Sequence, residues 1–344
     1  MKTNRLQPAI FLDRDGTINL NTHYVNKPSQ VSLLPNAADG LKILKSLGFL
    51  LVGVTNQSGI ARGYFTLSDL KKVNDRLQQL LGRSGVALDA IYFSPFHKKG
   101  TIKRFTKDSD CRKPGPGMLR QAAKDLGIDL SSSYMIGDMD SDIGAGINAG
   151  VRATVFLGDA GKKLEYNPTI RAKNLIEAAV WIGIDMQRAK IAESKSELEG
   201  KVRRLRQRCK KIVFTNGAFD ILHPGHVNFL RFARSLGDAL VVGLNSDSSI
   251  RKYKGKDRPV NPEPDRLAML CGLDSVDLVT VFSETDPRAV IRVVKPDIHV
   301  KDGNYLMQDL LEARTVVDNG GRVVLIPRIG DYSSTRVIKK LRQS

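Results

Sequence analysis

Apolar and polar positions along the chain follow one recurring order. A short apolar run is followed by a polar or glycine-containing turn, then by a stretch with apolar residues at helical spacing. Over residues 8–185 the apolar runs are AIFLD (9–13), FLLVGVT (49–55), LDAIYF (88–93), YMIGD (134–138) and ATVFLG (153–158). Helical periodicity fills NAADGLKILKSLG and LSDLKKVNDRLQQLLG between them. The order resumes over 209–344 with KIVFT (211–215), ALVVGL (239–244), LVTVF (278–282), DIHVK (297–301) and RVVLIP (322–327). Continuous apolar strands alternating with helices predict parallel sheets covered by helices on both faces. The pattern thus predicts an α/β chain of two domains, 1–186 and 187–344. The charged segment DMQRAKIAESKSELEGKVRRLRQRC (185–209) reads as a solvated helical lead-in to the second domain, not a flexible tether.

Composition narrows the class. With 344 residues, 41% of them hydrophobic, the chain can fill two cores. It has no uncharged apolar run of about 18 residues, so no membrane span is expected. The start, MKTNRLQPAIFLDRDG, lacks the apolar core and cleavage site of a signal peptide. Cys111, Cys209 and Cys271 are scattered and form no Cys-x-x-Cys. They imply no disulfide framework, and a reducing cytoplasm is the expected location. The net charge of +18 suits either nucleic acid or small, strongly anionic substrates. No long basic run and no basic-aromatic interleaving favours nucleic acid.

In FLDRDGTIN, Asp13 and Asp15 follow an apolar strand. Strand alternation puts them on one side, and Gly16 lets the chain turn away. Two carboxylates at the end of a parallel strand call for a cation, and Mg²⁺ with oxygen ligands suits them. The next strand ends in Thr55-Asn56, Lys113 stands in CRKPGPG, and GDMDSD supplies Asp138 and Asp142. Each group falls where open α/β sheets bind ligands. One aspartate can attack phosphorus, and the other can protonate the leaving alkoxide and then activate water. Thr55 and Lys113 can hold phosphoryl oxygens. The set D-x-D-G-T, T-N, K-P and G-D-x-x-x-D resembles the haloacid-dehalogenase phosphatase superfamily. LDRDGTIN, TNQSGIARGYFT and CRKPGPGM resemble its heptose 1,7-bisphosphate phosphatase branch over about residues 8–180. The resemblance implies an open pocket for a sugar phosphate, with Asp13, Asp15 and Asp138 at the Mg²⁺. It implies substrate contacts from Asn56, Gln57 and Arg62, and from Arg112 to the distal phosphate. One departure stands out. The branch usually carries a four-ligand zinc loop, and the corresponding residues here are Ser94, Phe96, Ser109 and Cys111. With Cys111 alone kept, no zinc is expected, and the basic loop 97–110 has to be ordered in another way or be mobile.

The second half opens with TNGAFDILHPGHVNFL (215–230), which carries His223 and His226. Such a pair could bind metal, act as acid or base, hold an anion or sit in a core. Pro224-Gly225 place both at the head of a helix, where free N–H groups and the dipole favour anions. A helical metal pair is usually spaced as in H-E-x-x-H, with acidic company. H-x-G-H after a strand resembles the nucleotidyltransferase superfamily of cytidylyl- and adenylyltransferases. TNGAFDILHPGHV, NSD, KGKDRPVNP and the Ser-Ser-Thr segment, over about 190–344, resemble the adenylyltransferase half of the bifunctional heptose kinase/adenylyltransferase. That implies His223, His226 and Lys254 at the triphosphate of an ATP substrate. It implies binding contacts from Phe219, Asp220, Asn245, Asp247, Arg266, Lys301, Ser333, Ser334 and Thr335. Ala218 stands where that family often has Cys, and Asp302-Gly303 where it often has Gly-Gly. Cytidylyltransferases for glycerol phosphate share H-x-G-H but usually end in R-T-x-G-I-S-T-T, against PRIGDYSSTR here.

The two resemblances together imply a bifunctional enzyme of ADP-heptose synthesis for the lipopolysaccharide core. It would remove the 7-phosphate of D-glycero-D-manno-heptose 1,7-bisphosphate and adenylylate the resulting 1-phosphate. Its partners would be sugar phosphates and nucleotide, with neither nucleic acid nor membrane. Three alternatives stay open: a phosphatase joined to a cytidylyltransferase for another sugar or polyol phosphate, a basic nucleic-acid end-processing protein, and one inactive half. The sugar, the anomer, the base and any homo-oligomer are also open.

Overall fold

A computed structural model describes residues 6–22, 24–159, 161–209, 211–303, 308 and 310–327. The chain divides into two units, Met1–Gly183 and Ile184–Ser344.

The first unit runs β1 (Ala9–Leu12), α1 (Ala37–Ser46), β2 (Leu50–Asn56), α2 (Leu67–Arg83), β3 (Ala90–Ser94), α3 (Gly117–Leu126), β4 (Tyr134–Gly137), α4 (Asp140–Ala149), β5 (Ala153–Leu157), β6 (Ile170–Ala172) and α5 (Leu175–Ala189), whose last turn lies past the division. Its six strands form one parallel sheet in the order β3-β2-β1-β4-β5-β6. Alternation places Ala9, Phe11, Val52, Val54 and Met135 on the face packed against Met118, Leu119 and Ala122 of α3 and Ala145 of α4. Each buried Val, Leu, Phe or Met among them contributes about 1.5–3 kcal/mol of transfer free energy. Thr66 starts α2 with a reciprocal cap: its Oγ1 accepts from the Asp69 N–H at 3.2 Å, and the Asp69 carboxylate accepts from the Thr66 N–H at 3.0 Å.

The second unit runs β7 (Ile191–Ala192), α6 (Lys195–Arg208), β8 (Ile212–Gly217), α7 (Pro224–Ser235), β9 (Ala239–Asn245), α8 (Asp247–Lys254), α9 (Glu263–Cys271), β10 (Leu278–Phe282), α10 (Arg288–Val294), β11 (Ile298–Asp302), α11 (Ala313–Asp318) and β12 (Arg322–Ile326). Its sheet is also parallel, in the order β12-β11-β8-β9-β10-β7. One face carries Val213, Leu240, Val242 and Val279 against Leu230, Ala233, Leu270 and Cys271. The other carries Ile212, Phe214, Val241 and Leu278 against Leu198, Val202, Val290 and Ile291.

Segment 185–209 differs from the expected solvated helix. It contains the end of α5, the strand β7 paired with β10, and α6, whose Leu198 and Val202 are buried in the second core. Two apolar residues one turn apart suffice to seat a helix that is otherwise charged. In both sheets the first central strand, β1 or β8, has crossovers leaving on either side. The crevice at its carboxyl end is where ligands bind in such folds.

Candidate functional site

The first crevice gathers its groups around Asp13. The end of β1 is fixed by the Asp13 N–H, which donates to the Ile136 carbonyl at 3.0 Å. Lys113 is buried and bridges two carboxylates, with Nζ 2.7 Å from Asp13 Oδ1 and 2.6 Å from Asp142 Oδ1. It also donates to the Val54 carbonyl at 2.7 Å. Asn56 fixes the lysine by its backbone: its amide donates to the Lys113 carbonyl and accepts from the Lys113 N–H, both at 3.0 Å. Glycine makes room for the carboxylates. A Cβ on Gly16, at φ +94°, would lie 2.2 Å from Asp138 Oδ2, and one on Gly137 would lie 2.2 Å from Asp142 Oδ2.

Asp13, Asp138 and Asp142 each offer an oxygen within 4.8 Å of the others, and among the described residues this is the one acidic, His or Cys group that could share an ion. Burial pushes the Asp13 carboxyl up to about 7, against the pull of Lys113 and with repulsion from Asp142. Burial, then the Asp13 charge, brings Asp138 up to about 6. Burial also raises Asp142 against the pull of Lys113. For Lys113 burial works downward, but Asp13 and Asp142 outweigh it and hold the ammonium above its ordinary value. Two buried carboxylates share Lys113 and half-buried Asp138 lies beside them, and a hard divalent cation with oxygen ligands fits the deficit.

The Asp15 carboxylate is not one of the three that lie together; the third there is Asp142. Asp15 instead accepts from Arg14 Nε at 3.0 Å, Arg14 Nη2 at 2.5 Å, Asn19 Nδ2 at 3.2 Å and Gln57 Nε2 at 3.1 Å. Gln57 also donates to Thr55 Oγ1 at 2.8 Å, which ties the buried threonine to Asp15. Arg14 is 2% exposed and reaches Asn74 as well. Neither Arg14 nor Asn19 stands out in the sequence. The Arg62 and Arg112 side chains border this region with His97: Arg62 Nη2 is 3.2 Å from His97 Nε2, and Arg112 Nη1 donates to the Phe96 carbonyl at 3.3 Å. The basic loop 97–110 is ordered by rings, since Phe105 packs against Ile60, Phe65 and Leu70.

In the second unit His223 is the N-cap of α7, with Pro224 in the first turn. Its Nδ1 accepts from the His226 N–H at 3.3 Å, so in the neutral ring Nε2 carries the proton. The two imidazoles stack at 3.8 Å with 16° between planes, and Phe219 lies 5.3 Å from His226. Asp220 is buried and organises the facing loop. Its Oδ1 accepts from the Val260 and Asn261 N–H groups at 2.8 and 3.0 Å, and Arg258 pairs with Oδ2 at 3.1 Å. Burial, then Arg258, lowers the Lys254 ammonium against the pull of Asp220. Asp220, Lys254 and Arg258 are thus one electrostatic neighbourhood.

Arg266, implied by the resemblance as a binding contact, is engaged within the protein. It is fully buried, and its guanidinium donates to the carbonyls of Ala218, Asn245 and Asn261 and to the Asp247 carboxylate. Asp247 is taken by that pair, and buried Asn245 donates to Ser249 Oγ at 3.2 Å. Lys301 reaches Asn216 Oδ1 at 3.1 Å and pairs with Glu312 at 2.9 Å. Glu312 also meets the buried His299, a network the sequence did not reveal. Ser333, Ser334 and Thr335 lie outside the described residues.

Comparison with known proteins adds lineage to this geometry. A HAD-hydrolase-like family model matches residues 110–178, and a cytidylyltransferase-like model matches residues 214–340. The bifunctional protein HldE of Desulfatibacillum aliphaticivorans is 47% identical over 146 residues, which are 42% of this chain and 30% of that protein. The chain therefore spans under a third of that bifunctional relative. The crystal structure of D,D-heptose 1,7-bisphosphate phosphatase from B. bronchiseptica, complexed with magnesium and phosphate, is 29% identical; the match covers 52% of this chain and 99% of that one, with a TM-score of 0.46. The D-glycero-beta-D-manno-heptose-1,7-bisphosphate 7-phosphatase of Pasteurella multocida strain Pm70 is 42% identical over 173 residues, which are 50% of this chain and 93% of that protein. On that relationship the chain belongs to the D-glycero-beta-D-manno-heptose-1,7-bisphosphate 7-phosphatase family, built on a HAD-like domain and carrying a cytidylyltransferase-like domain as well.

Proposed function

We propose that the chain performs two steps of ADP-heptose synthesis: removal of the 7-phosphate from D-glycero-D-manno-heptose 1,7-bisphosphate, and adenylyl transfer from ATP to the resulting 1-phosphate. The observation that carries the first step is the buried Asp13–Lys113–Asp142 bridge beside Asp138 at the end of β1. An Asp13 oxygen attacks phosphorus, the bond from phosphorus to the sugar oxygen breaks, and Asp15 gives that oxygen its proton. Asp15 then takes a proton from water, which attacks the aspartyl-phosphate and releases inorganic phosphate. Thr55 and Lys113 hold the phosphoryl oxygens, while Asn56 and Gln57 keep Lys113, Thr55 and Asp15 in register. Arg62 and Arg112 receive the phosphate that stays. Asp13, Asp138 and Asp142 would hold Mg²⁺, which would supply the positive charge these carboxylates lack.

In the second unit the sugar phosphate oxygen attacks the α-phosphorus of ATP and pyrophosphate leaves. No protein nucleophile is required, so positioning and charge stabilisation carry the step. His223 and His226 at the α7 head, with Lys254 and Arg258, hold the triphosphate. The net charge of +18 serves these anions, and nucleic acid is not a partner. No described helix is long and apolar enough to cross a membrane. Three cysteines outside any disulfide suit a cytoplasmic setting.

Incubating the chain with heptose 1,7-bisphosphate, Mg²⁺ and single nucleoside triphosphates, with products identified by mass, tests both steps. ADP-heptose and phosphate should form with ATP. Formation of a CDP-sugar, or of no sugar nucleotide, would sink the second half of the proposal. Release of no phosphate would sink the first.

A further inference from the structure

The loop between Ser94 and Lys113 is fastened to the turn that carries Arg62. Phe105 sits on Ile60, Phe65 and Leu70, and the Phe96 ring lies 6.2 Å from it. Lys107 Nζ covers Phe96 at 4.5 Å. The Thr101 and Ile102 N–H groups donate to the Ala61 carbonyl at 2.7 and 2.9 Å, and the His97 N–H donates to the Phe105 carbonyl at 3.2 Å. This plug holds the His97 ring in an environment short of acceptors. His97 Nδ1 accepts from the Lys99 N–H at 3.0 Å, so a neutral ring carries its proton on Nε2. That nitrogen faces Arg62 Nη2, which is also a donor, at 3.2 Å. The other tautomer only moves the conflict to Lys99. Arg62 Nε is buried with no partner. Burial, then Arg112 and Arg62, lowers the His97 imidazole. Arg112 is lowered in turn by burial and then by Arg62.

We propose that His97 is a third donor, beside Arg62 and Arg112, to the phosphate that is not transferred, and that the Phe96–Phe105 plug holds it there. The proposal rests on the bisphosphatase reading. An anionic oxygen between His97 Nε2 and Arg62 Nη2 accepts from both, which turns a donor–donor conflict into two charge-assisted hydrogen bonds.

The test compares wild type, His97→Ala and His97→Gln as full chains with Mg²⁺. Substrates are heptose 1,7-bisphosphate and p-nitrophenyl phosphate, which has no second phosphate. His97→Ala should raise KM for the bisphosphate about tenfold with kcat kept. It should leave p-nitrophenyl phosphate hydrolysis unchanged, and His97→Gln, which still donates, should recover most of the loss. Equal losses on both substrates, or no loss on the bisphosphate, would overturn the proposal. If wild type does not prefer the bisphosphate, the bisphosphatase reading fails first. The histidine is then judged by NMR of the Asp13→Asn chain: movement of the His97 Nε2 signal on adding inorganic phosphate supports the donor role, and a still signal overturns it.

Discussion

Asp13→Asn should make the metal-free chain more stable while stopping phosphate release. The Asp13 carboxyl sits at about 7, against an ordinary value of 3.8, because burial disfavours its charge. At pH 8 that difference opposes folding by on the order of 4 kcal/mol. Asparagine recovers only part of it, because Lys113 loses one of two carboxylate partners and keeps Asp142 at 2.6 Å. A net gain of ~2 kcal/mol remains, equivalent to a rise of about 4–8 °C in the melting temperature of a unit this size. A carboxyl raised in the folded state binds its proton more tightly there than in the unfolded chain. Wild type is therefore free of the penalty below pH 3.8 and bears all of it once pH has passed about 7. The advantage of asparagine should be full at pH 8 and shrink steadily toward pH 4. Melting followed by circular dichroism in EDTA, at several pH values, measures it. Mg²⁺ should then raise wild type more than the variant. A lower melting temperature for Asp13→Asn at pH 8, or a difference that ignores pH, would refute the reasoning.

Mg²⁺ binding should release protons, more at pH 6 than at pH 8, because Asp13 at about 7 and Asp138 at about 6 are partly protonated at the lower pH; calorimetry in buffers of different ionisation enthalpy counts them. Asn56→Ala removes both hydrogen bonds to the Lys113 backbone. Phosphate release should slow about 10–100-fold with KM little changed, as a group aimed by its neighbour loses its aim. Arg266→Lys keeps the charge but cannot reach three carbonyls and a carboxylate at once, so urea unfolding of the second unit should show a loss of about 3 kcal/mol. His226→Ala should stop conversion of supplied heptose 1-phosphate and ATP while phosphate release from the bisphosphate continues, read by mass of products.

The strands of both sheets were legible because strands buried on two faces are unbroken apolar runs, as in AIFL and ALVVGLN. β6 and β7 were not, since strands of three and two residues leave no period to read. α6 was legible as a helix, but its charge hid its seating in the core through Leu198 and Val202. At the first crevice the motif spacing pointed to Asp13, Lys113 and Asp138, but alternation could not show that Arg14 would turn inward and claim Asp15. Arg266 was implied as a ligand by resemblance, and only the fold shows its guanidinium bonded to carbonyls and to Asp247. His97 carries no signal of its own, because no sequence pattern reveals which donors face each other across a loop.

The ring-pinned loop also bears on oxidation. Peroxide attacks accessible thiolates and leaves phenylalanine rings far less affected. A segment held in place by thiolates loses its shape as those sulfurs are oxidised. Here Phe96 and Phe105, seated on Ile60, Phe65 and Leu70, do the holding. Cys111 is the one thiol in the stretch. The chain should therefore keep its second-phosphate clamp under peroxide stress, a tolerance set by how the loop is anchored and not by the chemistry it serves.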